Sequence, residues 1–309
     1  MRVATLAWLT AMMHAALIVA AFVASLAAPR ACGAVEVVDD SGARVMLAAP
    51  AKRIVSLAPH LTELLYAAGA GERVVGAVQF SDFPDAAKAI PRVGDVAMLD
   101  MERIGVMRPD LVVAWWHVTP ELQLDRLRAF GIAVYYSEPK KLADIPRALT
   151  DLGKLAGTEP AARNAAAAFE ARADRLRRSF AGRSKVPVFL QIWSTPLLTV
   201  NGEHLISEVV RLCGGSNIFA DLAPLVPTVS AEAVIAAHPE AIVTTRDTPT
   251  ADGAEELAVW QKLTRLPATS NHNLIVLDSD TISRQSPRIL EGAEALCDRL
   301  ESVRARRKP

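Results

Sequence analysis

One pattern occurs twice in this chain and constrains its fold more than any other feature. Residues 100–116 read DMERIGVMRPDLVVAWW, and residues 230–246 read SAEAVIAAHPEAIVTTR. Each copy has a glutamate, Glu102 or Glu232, as its third residue, followed by a short apolar-patterned segment and a proline seven residues after the glutamate. An acidic residue and a run rich in strand formers come next. The pattern predicts a short helix, a stop at proline and then a buried strand. The glutamates lie 130 residues apart in a chain of 309. That length accommodates two units of ordinary size, each with one copy.

The flanking sequence extends the argument. VEVVDDSGARVMLA alternates about Asp40-Ser41-Gly42, which predicts a β-hairpin. RIVSLAP, VVGAV, DLVVAWW and IAVYYSE read as buried strands, separated by helical patterns such as HLTELLYAAG, which stops at Gly69. Strands alternating with helices predict a parallel sheet with crossover helices. Beyond Lys141 two helical runs follow. The second, Thr158 to Gly182, has Thr158 to cap it and Pro160 in its first turn. About 23 residues span roughly 35 Å, enough to cross a domain boundary. The alternation then restarts with VPVFLQIW, and HLISEVVRLCGGS echoes HLTELLYAAGAG, with Glu208 matching Glu63 and Gly214 matching Gly69. The expected fold is α/β: two Rossmann-like lobes with parallel-rich sheets, 35–157 and 183–309, joined by one long backbone helix over 158–182.

The N-terminus differs from the rest. Residues 1–34 carry Arg2 and Arg30 and no acid, with AALIVAAFVASLAA between them. This predicts an export signal cleaved between Ala28 and Ala34, with an uncleaved membrane anchor as the alternative. A lipidated Cys32 is a further alternative, against which Pro29 and Arg30 weigh. The remaining 32 basic and 34 acidic residues leave a charge near −2, which gives a nucleic acid no electrostatic hold. Export makes pairing of Cys213 with Cys297 the favoured reading. Their loop predicts roughly 4–5 kcal/mol of stabilisation. Two buried free thiols are the alternative.

Catalytic signatures are missing. No GxGxxG follows a strand, and there is no GxxxxGK[ST], HExxH or GxSxG. His60, His117, His204, His238 and His272 form no local metal-ligand pair, so neither an enzyme nor a metal site is expected. Binding remains, and in open α/β sheets ligands sit beyond the carboxyl ends of the strands. The residues expected there are Pro59 and His60, Ser81 to Phe83, Trp115 to His117, Trp193 to Thr195, and Asp280 to Arg284. In a chain that is 5% aromatic, Phe83, Trp115, Trp116 and Trp193 concentrate flat apolar faces suited to a wide planar ligand. Adjacent strand residues point to opposite sides, so one of Trp115 and Trp116 packs in the core and Trp115 is expected to face the cleft.

RIVSLAPHLTELLYAAG, SDFP, MERIGVMRPDLVVAW, FLQIW, LCGGSNIF, VSAEAVIAAHPEAIV and SPRILEGAEALC together resemble a family. They resemble the periplasmic binding proteins of ABC importers for vitamin B12, haem and iron-siderophores, and most of all the vitamin B12-binding branch. The resemblance covers about residues 50–302. It implies a monomer in the periplasm that takes up cobalamin or a related corrinoid as transported ligand, with no cofactor. It implies that Glu102 and Glu232 dock onto a permease dimer, that Phe83, Trp115 and Trp193 line the cleft, and that Cys213 pairs with Cys297. Asp280 and Arg284 are expected to bond polar groups of the ligand. Where that branch has further aromatics, this chain carries Val226 and Thr281-Ile282. Haem or a ferric siderophore is therefore the alternative ligand. For haem, His60 and His117 are the candidate axial ligands, ahead of Tyr135 and Tyr136.

Overall fold

The computed structural model describes residues 33–246 and 254–307. The expected leader, with Cys32, lies outside the described residues except for Gly33 and Ala34. The chain enters as an antiparallel hairpin of β1 (Val35–Val38) and β2 (Arg44–Leu47). Asp39 Oδ1 makes its turn, accepting from the N–H groups of Ser41 at 2.9 Å and Ala43 at 3.0 Å.

The first sheet follows, as β3 (Ile54–Ser56), α1 (Pro59–Ala67), β4 (Val74–Ala77), α2 (Met101–Met107), β5 (Leu111–Trp115), α3 (Glu121–Ala129) and β6 (Ala133–Ser137). Its strands are all parallel in the order β4-β3-β5-β6. Then come α4 (Asp144–Ala156) and α5 (Glu159–Phe180). The second half runs β7 (Val186–Gln191), β8 (Trp193–Ser194), β9 (Leu197–Leu198), α6 (Leu205–Leu212), β10 (Gly215–Asn217), α7 (Ala231–Ala236) and β11 (Ala241–Arg246). It closes with α8 (Ala254–Gln261), α9 (Pro267–Ser270), β12 (Leu274–Asp278), α10 (Ser279–Ile282) and α11 (Ile289–Ala305). This sheet is also parallel, in the order β10-β7-β11-β12. Counted within its own sheet, each order is second, first, third, fourth.

The sequence repeat is a structural repeat. Asp100 caps α2 by accepting from Arg103 N–H at 2.9 Å, and Ser230 caps α7 by accepting from Ala233 N–H at 3.2 Å. Ile104 and Val234 are the buried anchors of these helices. Arg108 and His238 then turn the chain in the left-handed region, at φ 46° and 47°, before buried Pro109 and Pro239 lead into the third strand of each sheet. Glu102 and Glu232 stand exposed at matching places in the first turn.

One hydrophobic cluster runs through both halves. It holds Ile54, Leu64 and Leu111 of the first, Val188, Leu296 and Leu300 of the second, and Ala162, Ala166, Phe169 and Ala173 of α5 between them. Their spacing puts one face of α5 into this core. At 22 residues the helix spans about 33 Å. Thr158 does not cap it as expected: its hydroxyl is buried with no partner, and the backbone makes the corner instead. Thr158 N–H donates to Gly153 O at 2.7 Å, and Gly157 turns at φ 64°. Gly153 also lets α4 and α5 touch, because a Cβ there would stand 2.2 Å from the Cβ of Ala162.

Cys213, closing α6, is bonded to Cys297 in α11 with a Cα–Cα distance of 4.7 Å. Both are fully buried. Cys213→Ala with Cys297→Ala is expected to lower unfolding stability in urea by about 2–5 kcal/mol. An unchanged midpoint would show that the bridge adds nothing to the packing around it.

Candidate inter-lobe binding site

Both sheets reverse strand order about their first strand, β3 or β7, so crevices open at the carboxyl ends there. A cavity of about 420 Å³ lies between the halves, lined by Trp115, Glu138, Lys140 and Lys141 from the first and by His204, Leu225, Ile282 and Gln285 from the second. Its volume is within the usual range for small-molecule sites, roughly 300–1,000 Å³. Trp115 forms one wall because it is the last residue of β5 and partly buried against the main core. Trp116, its neighbour, turns to the outer face of the first sheet. There it packs on the second cluster and stacks on His117 at 4.0 Å. His117 Nδ1 lies 3.0 Å from Glu138 Oε2.

His60 sits under Trp115. Pro59 starts α1, and His60 in its first turn is 2% exposed, meeting the indole edge-on at 4.8 Å. Its Nε2 is buried without a partner among the described residues. Burial, aided by the positive charge of Arg284, pushes its pKa down to about 3. A base depressed in the folded state contributes stability that is complete above the unfolded pKa of 6.5 and is lost as pH falls toward 3. Between pH 6.5 and 5 the wild type is expected to lose up to about 1.4 kcal/mol per pH unit relative to His60→Asn. Parallel stability curves for the two proteins in urea would contradict the assignment.

Beside this wall lies an ionic cluster that joins the two halves. Glu63 of α1 is 3% exposed. Its carboxylate accepts from Arg284 at 2.8 Å, from Arg288 at 3.0 Å and from Ser286. Arg284 also reaches Asp280 at 2.7 Å and Asp82 at 3.4 Å. Burial pushes the Glu63 carboxyl up, against the pull of the hydroxyl and the two guanidiniums. The guanidinium of Arg288 stands 4.0 Å over the Phe83 ring, and both line a smaller cavity of about 260 Å³ with Glu63 and Tyr66.

The expected residues are therefore only partly assembled. Trp115 lines the larger cavity with His60 behind it, while Phe83 lines the smaller one. Arg284 is committed first to Glu63 and Asp280, and Asp280 to Arg284. Trp193 is 58% exposed on β8 and donates its indole N–H to Thr195 O at 2.9 Å. Tyr135 and Tyr136 are buried in β6. The sequence reading missed Glu63, Ser286 and Arg288, whose only signal was Glu63 in an apolar helix. It also missed the lysine pair of the rim and exposed Phe80, at φ 62°. Among the described residues no group of three or more His, Cys, Asp or Glu is placed to hold a metal ion, and no helix is long and apolar enough to cross a membrane.

The periplasmic binding protein family matches residues 54–281. The chain is 36% identical to the vitamin B12-binding protein of Vibrio parahaemolyticus over 258 residues, which cover 84% of this chain and 92% of that one. It is 38% identical to the vitamin B12-binding protein of Yersinia pestis over 256 residues, covering 82% and 88%. Among solved structures it resembles the periplasmic vitamin B12 binding protein BtuF of Vibrio cholerae, with TM-score 0.73, 34% identity and coverage of 82% and 98%. It also resembles a periplasmic heme binding protein from Pseudomonas aeruginosa, with TM-score 0.69, 26% identity and coverage of 80% and 91%. Two parallel sheets of the same strand order, a cavity between them and these similarities place the chain in the periplasmic binding protein family, a family of transport proteins and not of enzymes.

Proposed function

We propose that this protein captures cobalamin, or a related corrinoid, in the cavity between its lobes and delivers it to the permease dimer of an ABC importer. One observation carries the reading: relatives named for vitamin B12 binding align with more than four fifths of the chain. The single aromatic wall at Trp115 suits a planar, partly apolar ring system. Residues 1–34 export the chain and are removed, or tether it through an anchor or Cys32. The lobes are 35–157 and 183–309, with 158–182 as a stiff joint. The chain works as a monomer, and Glu102 and Glu232 dock on the permease.

A second reading keeps the fold and changes the ligand to haem. It is favoured by the unpartnered Nε2 of His60, a neutral imidazole nitrogen behind the cavity wall. Dialysis of the protein against equal cyanocobalamin and haemin separates the two. Corrin absorption bands retained with the protein are the expected result. A Soret band alone would overturn the corrinoid reading and move attention to His60.

A further inference from the structure

We propose that the outer edge of the second sheet carries a separate binding site for a phosphate-class oxyanion. It shares no lining residue with the inter-lobe cavity and does not depend on which ligand that cavity holds. β12 is the edge strand of its sheet. Ile242 N–H donates to Asn273 O at 3.1 Å, so the parallel ladder turns the peptide groups of Asn273, Ile275 and Leu277 toward β11. Those of Leu274 and Val276 point outward, and their N–H groups have no backbone acceptor among the described residues.

Against this edge opens a cavity of about 320 Å³, lined by Leu274 and Val276 and by Arg246, His272, Arg299 and Arg306. Among the described residues no carboxylate lines it. Arg246 ends β11, and its Nε is buried with no partner among the described residues. Arg299 and Arg306 lie seven residues apart, two turns along one face of the C-terminal helical segment. Arg306 donates to neutral oxygens, His272 O and Asn273 Oδ1, both at 2.9 Å. Glu301 in the same segment is engaged by Arg183 and Arg304 instead.

Among the described residues no carboxylate faces the three guanidiniums of this recess, so they repel each other; Arg246 is partly buried, which weakens the screening that solvent gives, while Arg299 and Arg306 are exposed. An oxyanion relieves that repulsion. Guanidinium forks match phosphate oxygens in pairs, and outward strand N–H groups add donors. The recess has room for a phosphoryl group with a small substituent. Positive charge along a sheet edge also discourages pairing with another strand, but that role alone calls for no ligand.

Titration calorimetry with inorganic phosphate and pyrophosphate at constant ionic strength tests the proposal, with flotation on phosphatidylglycerol or phosphatidylcholine vesicles as the lipid arm. Saturable pyrophosphate binding is expected, weakened at least tenfold in Arg246→Gln and in Arg299→Gln. The exposed Arg299 keeps the test valid if the first variant folds poorly. Selective flotation on phosphatidylglycerol, competed by pyrophosphate and lost in Arg299→Gln, would assign the phosphate to a lipid headgroup. No saturable binding and no selective flotation, binding unchanged in both variants, or binding of hexaglutamate but of neither phosphate probe would overturn the proposal.

Discussion

Charge reversal at both glutamates proposed to dock on the permease, Glu102→Lys with Glu232→Lys, is expected to abolish ligand uptake by cells while leaving the affinity of the isolated protein unchanged. Both residues are exposed, each in the first turn of a short helix, and they occupy matching places about two sheets of the same strand order. A partner built from two equivalent subunits needs the same charge offered twice. Ion pairs at the rim of an interface set register and association rate more than intrinsic affinity. Reversal replaces two attractions by two repulsions, so each single variant is expected to be impaired and the double one inactive. The folding cost is small, because neither side chain is part of the core. Transport of radiolabelled cyanocobalamin, read beside calorimetry on the purified variants, separates docking from capture. Normal uptake by the double variant would show that both are ordinary solvated charges.

The second large effect is on stability. Glu63→Ala is expected to cost about 3–5 kcal/mol, because it leaves Arg284 and Arg288 close together and mostly buried without their shared carboxylate. Adding Arg284→Met should recover part of that loss, since the uncompensated charge is then removed. The cluster ties α1 to the segment before α11, so the variant should also loosen the two halves with respect to each other. A loss under 1 kcal/mol in urea unfolding would reduce the cluster to a surface-type pair.

The two-lobe plan was legible because it rests on periodicity. Buried runs such as LVVAW, helical spacing in HLTELLYAAG and the positive-φ stops at Gly69 and Gly214 are local signals. The strand β10 was not legible. Gly215-Ser216-Asn217 lacks every strand-favouring side chain and is defined by its pairing with β7. Even its glycine serves packing, since a Cβ on Gly215 would stand 2.6 Å from Val210 Cγ1.

The site divides in the same way. Trp115 could be placed because a strand end fixes where its side chain begins, and alternation sends Trp116 to the other face. The ionic cluster could not, because the partners of Glu63 lie 221 to 225 residues further along. Arg284 and Asp280 were read as ligand contacts from their place after the last strand. The fold first uses Arg284 to tie the lobes through Glu63 and Asp82, and Asp280 to pair with Arg284 within the second lobe.

In the proposed function a corrinoid binds against Trp115 between the lobes. The most direct test is titration calorimetry of cyanocobalamin into residues 35–309 and into the Trp115→Ala variant. One-to-one binding by the wild type, weakened at least tenfold by loss of about 1.4 kcal/mol or more in the variant, is the predicted result. Absence of binding, or equal affinity in both proteins, would contradict it.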